Sequence, residues 1–319
     1  MNWPPLNFLS SSGTEAGVIL PLTLFVLAVS VAVVVIIAGI LSLAVRRRPF
    51  ASETAPDSVA VSRTKGGTRL IAIGLGISMA LLLPTLGWTM VALGQISHAP
   101  RRPDVEIDLT AHQWWWQADY NGAAPYQRFA TANELHIPVG ANVLVRLRGS
   151  DVIHSFWVPQ LGGKTDMIPG QVNLAWLKAD RPGRFTGQCS EYCGLEHAHM
   201  GLEVVAETPK QFESWRRAQL QTAPPPASPA QARGFALAEY RCGMCHAIRG
   251  TSAGSHFGPD LTHLQSRRML AANTLPNALP SLSAWIEDPQ GIKPGAQMPP
   301  QHLSGRELND LTSYLETLR

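Results

Sequence analysis

The sequence predicts a multidomain membrane protein with two transmembrane helices, an antiparallel β-barrel or sandwich, and a C-terminal module bounded by helices. Three observations carry this. Two long stretches hold no ionisable side chain, a central region alternates with period two between Gly and Pro turns, and a Pro-rich linker sets off the last segment. At 319 residues the chain is long enough for about two globular domains beside its membrane part.

Charged residues make up 15 % of the chain and net charge is +3, against roughly 25 % charged residues in an ordinary soluble domain. The deficit is local. Residues 16–45 and 70–96 contain no ionisable side chain, and each run exceeds the roughly 20 apolar residues that cross a hydrocarbon core of about 30 Å. Spans are expected at about 18–45 and 70–95 in an N-terminal hairpin of residues 1–103. Arg46, Arg47, Arg48, Arg63, Lys65 and Arg69 lie between them, while the first seventeen residues hold no Lys or Arg. The positive-inside rule puts the 46–69 loop in the cytoplasm and both termini outside; Arg101 and Arg102 after the second span do not outweigh it. The expected location is a bacterial-type inner (plasma) membrane, crossed twice. The first span is expected to act as an uncleaved export signal, because residues 1–14 lack a basic n-region.

Val105–Leu109 and Val143–Arg148 alternate with period two, Val172–Leu177 is an apolar run, and Gly201–Val205 completes the set. Short strands between Gly and Pro turns suggest an antiparallel sandwich or barrel over 104–220, ending in a short helix at Pro209–Leu220. Residues 221–230, rich in Pro, read as a semi-rigid linker. In the last module, 231–319, helical spacing covers Ala232–Tyr240. Residues 260–297 read as irregular. Gly305–Leu318 reads as a terminal helix, with Ser304 and Glu307 in a capping-box pattern.

The four cysteines, Cys189, Cys193, Cys242 and Cys245, all follow the second span. Two disulfides are the bland reading outside the cell, and the neighbours of each pair argue against it. Cys189-Ser-Glu-Tyr-Cys193-Gly-Leu-Glu-His197-Ala-His-Met200 packs two thiols, an imidazole and a thioether into twelve residues. His154, expected at the end of a strand, adds a second imidazole. Thiolate, thioether and imidazole together favour copper, and one cysteine more than a mononuclear blue-copper site needs suggests two ions bridged by both sulfurs. Each ion then takes one of His154 and His197. Met200 serves one ion and the Glu191 backbone carbonyl serves the other. His199 reads as a bystander, and His112 and His136 as structural.

This run resembles the dinuclear copper (CuA) motif of cytochrome c oxidase subunit II, and the resemblance extends over nearly all of the chain up to about residue 218. It implies a cupredoxin-like fold for the strand-rich domain. Ala111-His-Gln-Trp-Trp-Trp116 resembles that family's aromatic segment, and Gly162–Gly170 resembles its loop against subunit I. By the resemblance, Trp114 passes electrons in, and the Glu191 side chain contributes to a magnesium ion at the subunit I interface. One departure concerns protons: many family members carry a glutamate just before the second span, and residues 61–70 here contain no acid. The nearest are Glu53 and Asp57, and no residue takes that role.

Cys242-Gly-Met-Cys245-His246 is the C-x-x-C-H haem attachment motif. Two cysteines three apart reach the two vinyl positions of one porphyrin edge, and His246 follows as axial ligand. Met298, in a Pro-flanked loop, is the expected sixth ligand of the haem c, ahead of Met244 and Met269. The loop resembles the distal loop of small class I cytochromes c, and Gly258–Thr262 resembles their proximal segment, which implies an all-α cytochrome c domain. Methionine–histidine ligation suits electron transfer. His256, His263 and His302 read as surface histidines.

Neither centre leaves a position for substrate, so no residue of this chain is expected to be catalytic. The reading is the electron-input subunit of a haem–copper terminal oxidase, taking electrons through haem and copper to subunit I, where O2 is reduced with proton translocation. Expected partners are subunit I and the other oxidase subunits, membrane lipid, and a cytochrome c or quinol:cytochrome c reductase as donor, with no nucleic acid. The linker keeps the cytochrome near the copper domain, and their docking surface is expected to include Trp114, Asp119 and Asp151. The alternatives are the corresponding subunit of a nitric oxide reductase and a copper-storage or delivery protein. A quinol oxidase subunit is disfavoured, because that branch lacks these copper ligands.

Overall fold

The computed structural model describes residues 6–46, 65–97, 102–122 and 124–319. Arg47, Arg48, Glu53, Asp57, Arg63 and Arg101 lie outside them, as does most of the loop on which the orientation argument rests.

Helices α1 (Thr14–Arg46) and α2 (Lys65–Ile96) are each long and apolar enough to cross a membrane. Their polar side chains turn inward on their own backbone. Thr23, Ser30, Thr85 and Thr89 hydroxyls each donate to the carbonyl four residues back, which satisfies these four donors where lipid cannot. Phe25 and Trp88 pack at 5.7 Å between ring centroids.

The second unit begins with residues before α1 and resumes after α2. Ten strands form two five-stranded sheets: β1 (Val105–His112), β2 (Trp115–Tyr120), β3 (Phe129–Ala132), β4 (Glu134–Pro138), β5 (Val143–Gly149), β6 (His154–Trp157), β7 (Thr165–Met167), β8 (Asn173–Leu177), β9 (Gly183–Cys189) and β10 (Gly201–Glu207). One sheet runs β3-β2-β1-β5-β8 and the other β4-β10-β9-β6-β7. The alternation in β1 is the physical signal: Ile107, Leu109 and Ala111 are buried between half-exposed neighbours. They join Trp116, Leu135, Ile137, Leu147, Phe156 and Phe185 between the sheets, each such side chain contributing about 1.5–3 kcal/mol by burial. The sheets are mixed and not purely antiparallel, because β1 pairs β5 and β10 pairs β4 in parallel. Crossing from sheet to sheet brings strands distant in sequence side by side in the same direction.

Residues just before α1 are strapped to this sandwich. Ser12 N–H donates to Gln160 O, Asp180 N–H to Ser12 O, and the Arg181 guanidinium to Ser12 Oγ, all at 2.8 Å. A Cβ on Gly13 would stand 2.7 Å from the carbonyl oxygens of Leu161 and Lys178, so only glycine admits the approach.

Helix α3 (Pro209–Gln219) follows, with Thr208 and Gln211 in a capping box. The C-terminal module contains α4 (Pro229–Leu237), a short ribbon β11 (Met269–Leu270) and β12 (Leu275–Pro276), α5 (Leu279–Glu287), α6 (Pro289–Ile292) and α7 (Gly305–Leu315). Helix α4 runs on through a wide turn, Ala238–Cys242, into the attachment motif. Helices α4 and α7 pack so closely that a Cβ on Gly234 would lie 1.9 Å from Asp310 O. Ser304 caps α7 with Glu307 in the expected box, though the helix stops at Leu315 and not Leu318. Residues 260–297 are not irregular throughout. In α5, Leu282 and Ile286 lie four apart on the buried face; prolines at both ends hid this short helix from a periodicity reading. The linker is not free either, since Ala223 N–H donates to Arg249 O at 2.9 Å.

Candidate functional site

The copper-type donors meet where β6 and β9 pair. Phe156 stands opposite Cys189 in that ladder, so His154 and Cys189 are delivered by neighbouring strands; His154 opens its strand and does not end one. The loop after β9 turns back through a short turn at His197–His199 and returns as β10 just after Met200. Cys189 Sγ lies 3.8 Å from Cys193 Sγ, 3.9 Å from His154 Nδ1 and 3.2 Å from Glu191 O. Cys193 Sγ lies 3.6 Å from His197 Nδ1 and 3.8 Å from Met200 Sδ. Both thiols are buried and free, at nearly twice the S–S bond length of about 2.05 Å.

Electrostatics favours a cation between these donors. The Cys193 thiol, with burial working against it and His154 helping, pulls Cys189 down to about 4. The same contact pushes Cys193 far up. One thiolate forms readily and the second is opposed by the first, so a metal's positive charge is what would let both ionise. His154 is held ready: Asp151 Oδ1 takes its Nε2 at 2.8 Å, leaving Nδ1 toward the sulfurs in the way carboxylates orient ligating histidines. Burial opposes a charge on His154, but Cys189 and Asp151 outweigh it and raise its pKa. The residues present fit a soft metal centre. His199 points away and pairs with Glu196 at 2.7 Å. His112 stacks on Trp115 and bonds Ser150. His136 lies between Glu134 and Glu207. The Glu191 carboxylate stands 3.7 Å from the Lys164 ammonium, which is as close to Asp166.

A cleft of about 420 Å³ opens between the C-terminal module and the β-sandwich, and Cys242, Cys245, His246, Arg267 and Met298 line it from the C-terminal side. His246 Nδ1 donates to Pro259 O at 2.7 Å, which leaves Nε2 as the free ring nitrogen. Burial lowers its pKa, favouring the neutral imidazole that binds iron. Gly258 packs on this ring: a Cβ there would lie 2.6 Å from it. Arg267 is buried, and its Nε has no partner among the described residues. An orphaned guanidinium donor in a cleft fits a group carrying carboxylates, as a haem does. Of the other methionines, Met244 and Met269 also line the cleft; Met244 is exposed and Met269 half-buried. His256 and His302 are on the surface, but His263 is buried, bonding Arg319 O at 2.7 Å.

The two sites are neighbours. Trp114 lines the cleft and is only 9 % exposed. Its indole N–H donates to Cys193 O at 2.9 Å, beside a bond from Gln113 Nε2 to the same oxygen at 2.7 Å. Asp119 faces His256 and Asp260, and burial raises its pKa. Asp151 is taken up by Gln113 and His154. Gln113, Arg267 and Lys293 were not singled out in the sequence; a lone Gln, Arg or Lys carries no pattern there.

Fold and donor sets together define a class: a membrane-anchored, cupredoxin-like copper domain joined to a cytochrome c domain. The family model for the periplasmic domain of cytochrome c oxidase subunit II matches residues 122–207, and that for cytochrome c matches 231–319. Cytochrome c oxidase subunit 2 of Alkalihalophilus pseudofirmus is 37 % identical over 235 residues, covering 71 % of this chain and 67 % of that one. The subunit 2 of Bacillus sp. (strain PS3) is 32 % identical over 227 residues, covering 67 % and 62 %. Among solved structures, the periplasmic domain of subunit II of cytochrome oxidase from Bradyrhizobium japonicum is 34 % identical with a TM-score of 0.36, covering 38 % of this chain and 96 % of that one. The chain belongs to the cytochrome c oxidase subunit 2 family. Its copper domain implies the dinuclear CuA centre and its cytochrome domain implies haem c.

Proposed function

We propose that this chain is the electron-input subunit of a haem–copper oxidase. In this reading it receives electrons from a cytochrome c or a quinol:cytochrome c reductase and passes them to subunit I, which reduces O2 and translocates protons. The observation that carries the reading is Trp114, which borders the haem cleft on one side and donates its indole N–H to the copper loop on the other. Haem c and dinuclear copper each supply one-electron chemistry when bound.

The proposed roles follow from the donors. Cys189, Cys193, His154, His197, Met200 and the Glu191 carbonyl would hold the copper ions. Cys242 and Cys245 would attach the haem, and His246 and Met298 would be its iron ligands. Asp151 orients His154, and Arg267 offers a donor to a carboxylate in the cleft. A magnesium ion at the Glu191 carboxylate would compete with Lys164 and take its other oxygens from a partner subunit. This chain then carries electrons and does not hold the oxygen-reducing site.

The proposed division is 1–103, 104–220, 221–230 and 231–319. Two spans bring the chain back to the side on which it starts, and the strap from Ser12 to Gln160 and Asp180 supports placing both termini on the outer side with the sandwich.

The test is rapid injection of one electron into the loaded full chain, followed at the haem and copper absorption bands. Trp114→Leu should slow haem-to-copper transfer without altering either spectrum, since the indole contact to Cys193 O is lost while both donor sets stay. An unchanged rate would show that electrons take another route.

A further inference from the structure

The interface between the β-sandwich and the cytochrome module buries a lysine at the edge of the cleft that belongs to neither donor set. Lys293 follows α6 and is 2 % exposed. Its ammonium donates to Trp114 O at 2.7 Å, to His199 O at 2.7 Å and to Ala271 O at 3.2 Å. A lysine ammonium has three N–H bonds and no acceptor, so these carbonyls satisfy it completely. Two of them belong to the sandwich and the third to the cytochrome module. No carboxylate among the described residues is within ion-pair distance of it. Burying an amine with no ion-pair partner is costly and pushes its pKa down to about 7, and a methionine would fill the same space without that cost. What lysine adds is the grip on three carbonyls.

The surroundings agree. Gly201 N–H donates across the same interface to Ala272 O at 3.1 Å. Arg268 reaches Glu203 at 3.0 Å, and Arg249 reaches Arg128 O at 2.9 Å. Trp114 is fixed at both ends, its carbonyl by Lys293 and its indole by Cys193. Gly295, just beyond Lys293, lies against the indole ring, where a Cβ would stand 3.3 Å away.

We propose that Lys293 is a positioning residue whose ammonium clamps the cytochrome module onto the β-sandwich and holds Trp114 between the haem cleft and the copper loop. The role given to Trp114 rests on the function proposed above; the clamp itself does not. The two modules then form a fixed pair, and the linker does not serve as a swinging arm. The Trp114 face is closed to outside donors, which must deliver to the cytochrome module.

The test uses the full chain with both centres loaded and compares wild type with Lys293→Met and Lys293→Arg. Methionine keeps the stem without the donors, and arginine keeps the charge on a planar fork that does not match three converging carbonyls. Amide hydrogen exchange is followed in segments 199–202 and 271–274, with β5 and α7 as controls. In Lys293→Met the two interface segments should exchange roughly tenfold faster, as expected for losing a charged hydrogen-bond donor, while β5, α7 and the haem spectrum stay as they were. Arginine should restore only part of the protection. Unchanged interface exchange in Lys293→Met would overturn the clamp. So would loss of methionine ligation with faster exchange in α7, because Lys293 would then be a folding residue of one module. Haem-to-copper transfer on the same samples separates the two proposals. An opened interface with an unchanged rate supports the clamp and defeats the Trp114 route, whereas an unchanged interface defeats the clamp whatever the rate.

Discussion

At the copper loop the donors already stand together: the two sulfurs are 3.8 Å apart, and histidine nitrogens lie 3.6 and 3.9 Å from them. The strands that hold them close a core of their own around Trp116 and Phe156. The C-terminal module differs. Its helices line an open cleft of about 420 Å³ that the sandwich borders on the other side, and its buried set, among them Leu264, Leu270, Leu282 and Ile286, is smaller. A metal can therefore enter a site the sheet has built, whereas the cytochrome module needs its cofactor as part of its core. The copper site is a product of the fold, and the haem is a component of one.

The largest effect that follows is loss of haem. Without haem the apolar lining of that cleft, among it Leu264, Leu270, Leu282 and Ile286, faces water, and the module loses the burial that would stabilise it. The chain produced without haem attachment should therefore be cut by protease throughout 231–319, with the sandwich surviving. A protected C-terminal module would break the comparison. Next is Cys193→Ser, which should abolish the dinuclear copper signal while strand amide protection stays near wild type. Collapse of the sandwich would show that the metal, too, is part of its core.

A third change probes the sandwich itself. His136 is buried between Glu134 at 2.7 Å and Glu207 at 3.0 Å, and stacks on Trp215. His136→Ala should cost about 1.5–3 kcal/mol by removing hydrogen bonds to two charged carboxylates, read as a lower melting temperature of the copper module. The pH profile has a definite sign. Burial works against the charge on His136, but the two carboxylates raise its pKa above 6.5. Its contribution is complete below 6.5 and lost as pH rises through the folded value. Burial likewise works against Glu134, but His136 and Arg184 lower its pKa below 4.5. That contribution is present above 4.5 and lost as pH falls through the folded value. Stability of the sandwich should therefore peak between these limits, and His136→Ala should flatten the profile. The smallest effect is Ser304→Ala, which removes the cap of α7 and should cost about 1 kcal/mol. It should lower only the cytochrome module's melting temperature.

The sequence spoke most clearly where chemistry needs a fixed spacing. Cys189, Cys193, His197 and Met200 share one loop, and Cys242, Cys245 and His246 share one turn, so their spacing is local. The membrane helices were legible for a similar reason, since lipid demands an unbroken apolar run. Strands such as β4 were not legible, because Glu134 and His136 are polar residues buried through pairing, and period-two alternation is lost there. The interface was silent for a deeper reason. Lys293 meets Trp114, His199 and Ala271 through backbone carbonyls, and every residue type has a carbonyl. Trp114 was singled out only through resemblance; its place between the two sites depends on a contact between residues 79 positions apart.

The most direct test of the central claim is an electron paramagnetic resonance spectrum of the full chain, loaded with copper and matured with haem. The expected result is a hyperfine pattern from one unpaired electron shared equally by two copper nuclei, beside a low-spin haem c signal. A mononuclear copper spectrum, or a Cys189–Cys193 disulfide with no copper bound, would contradict the dinuclear site and with it the route from haem to copper.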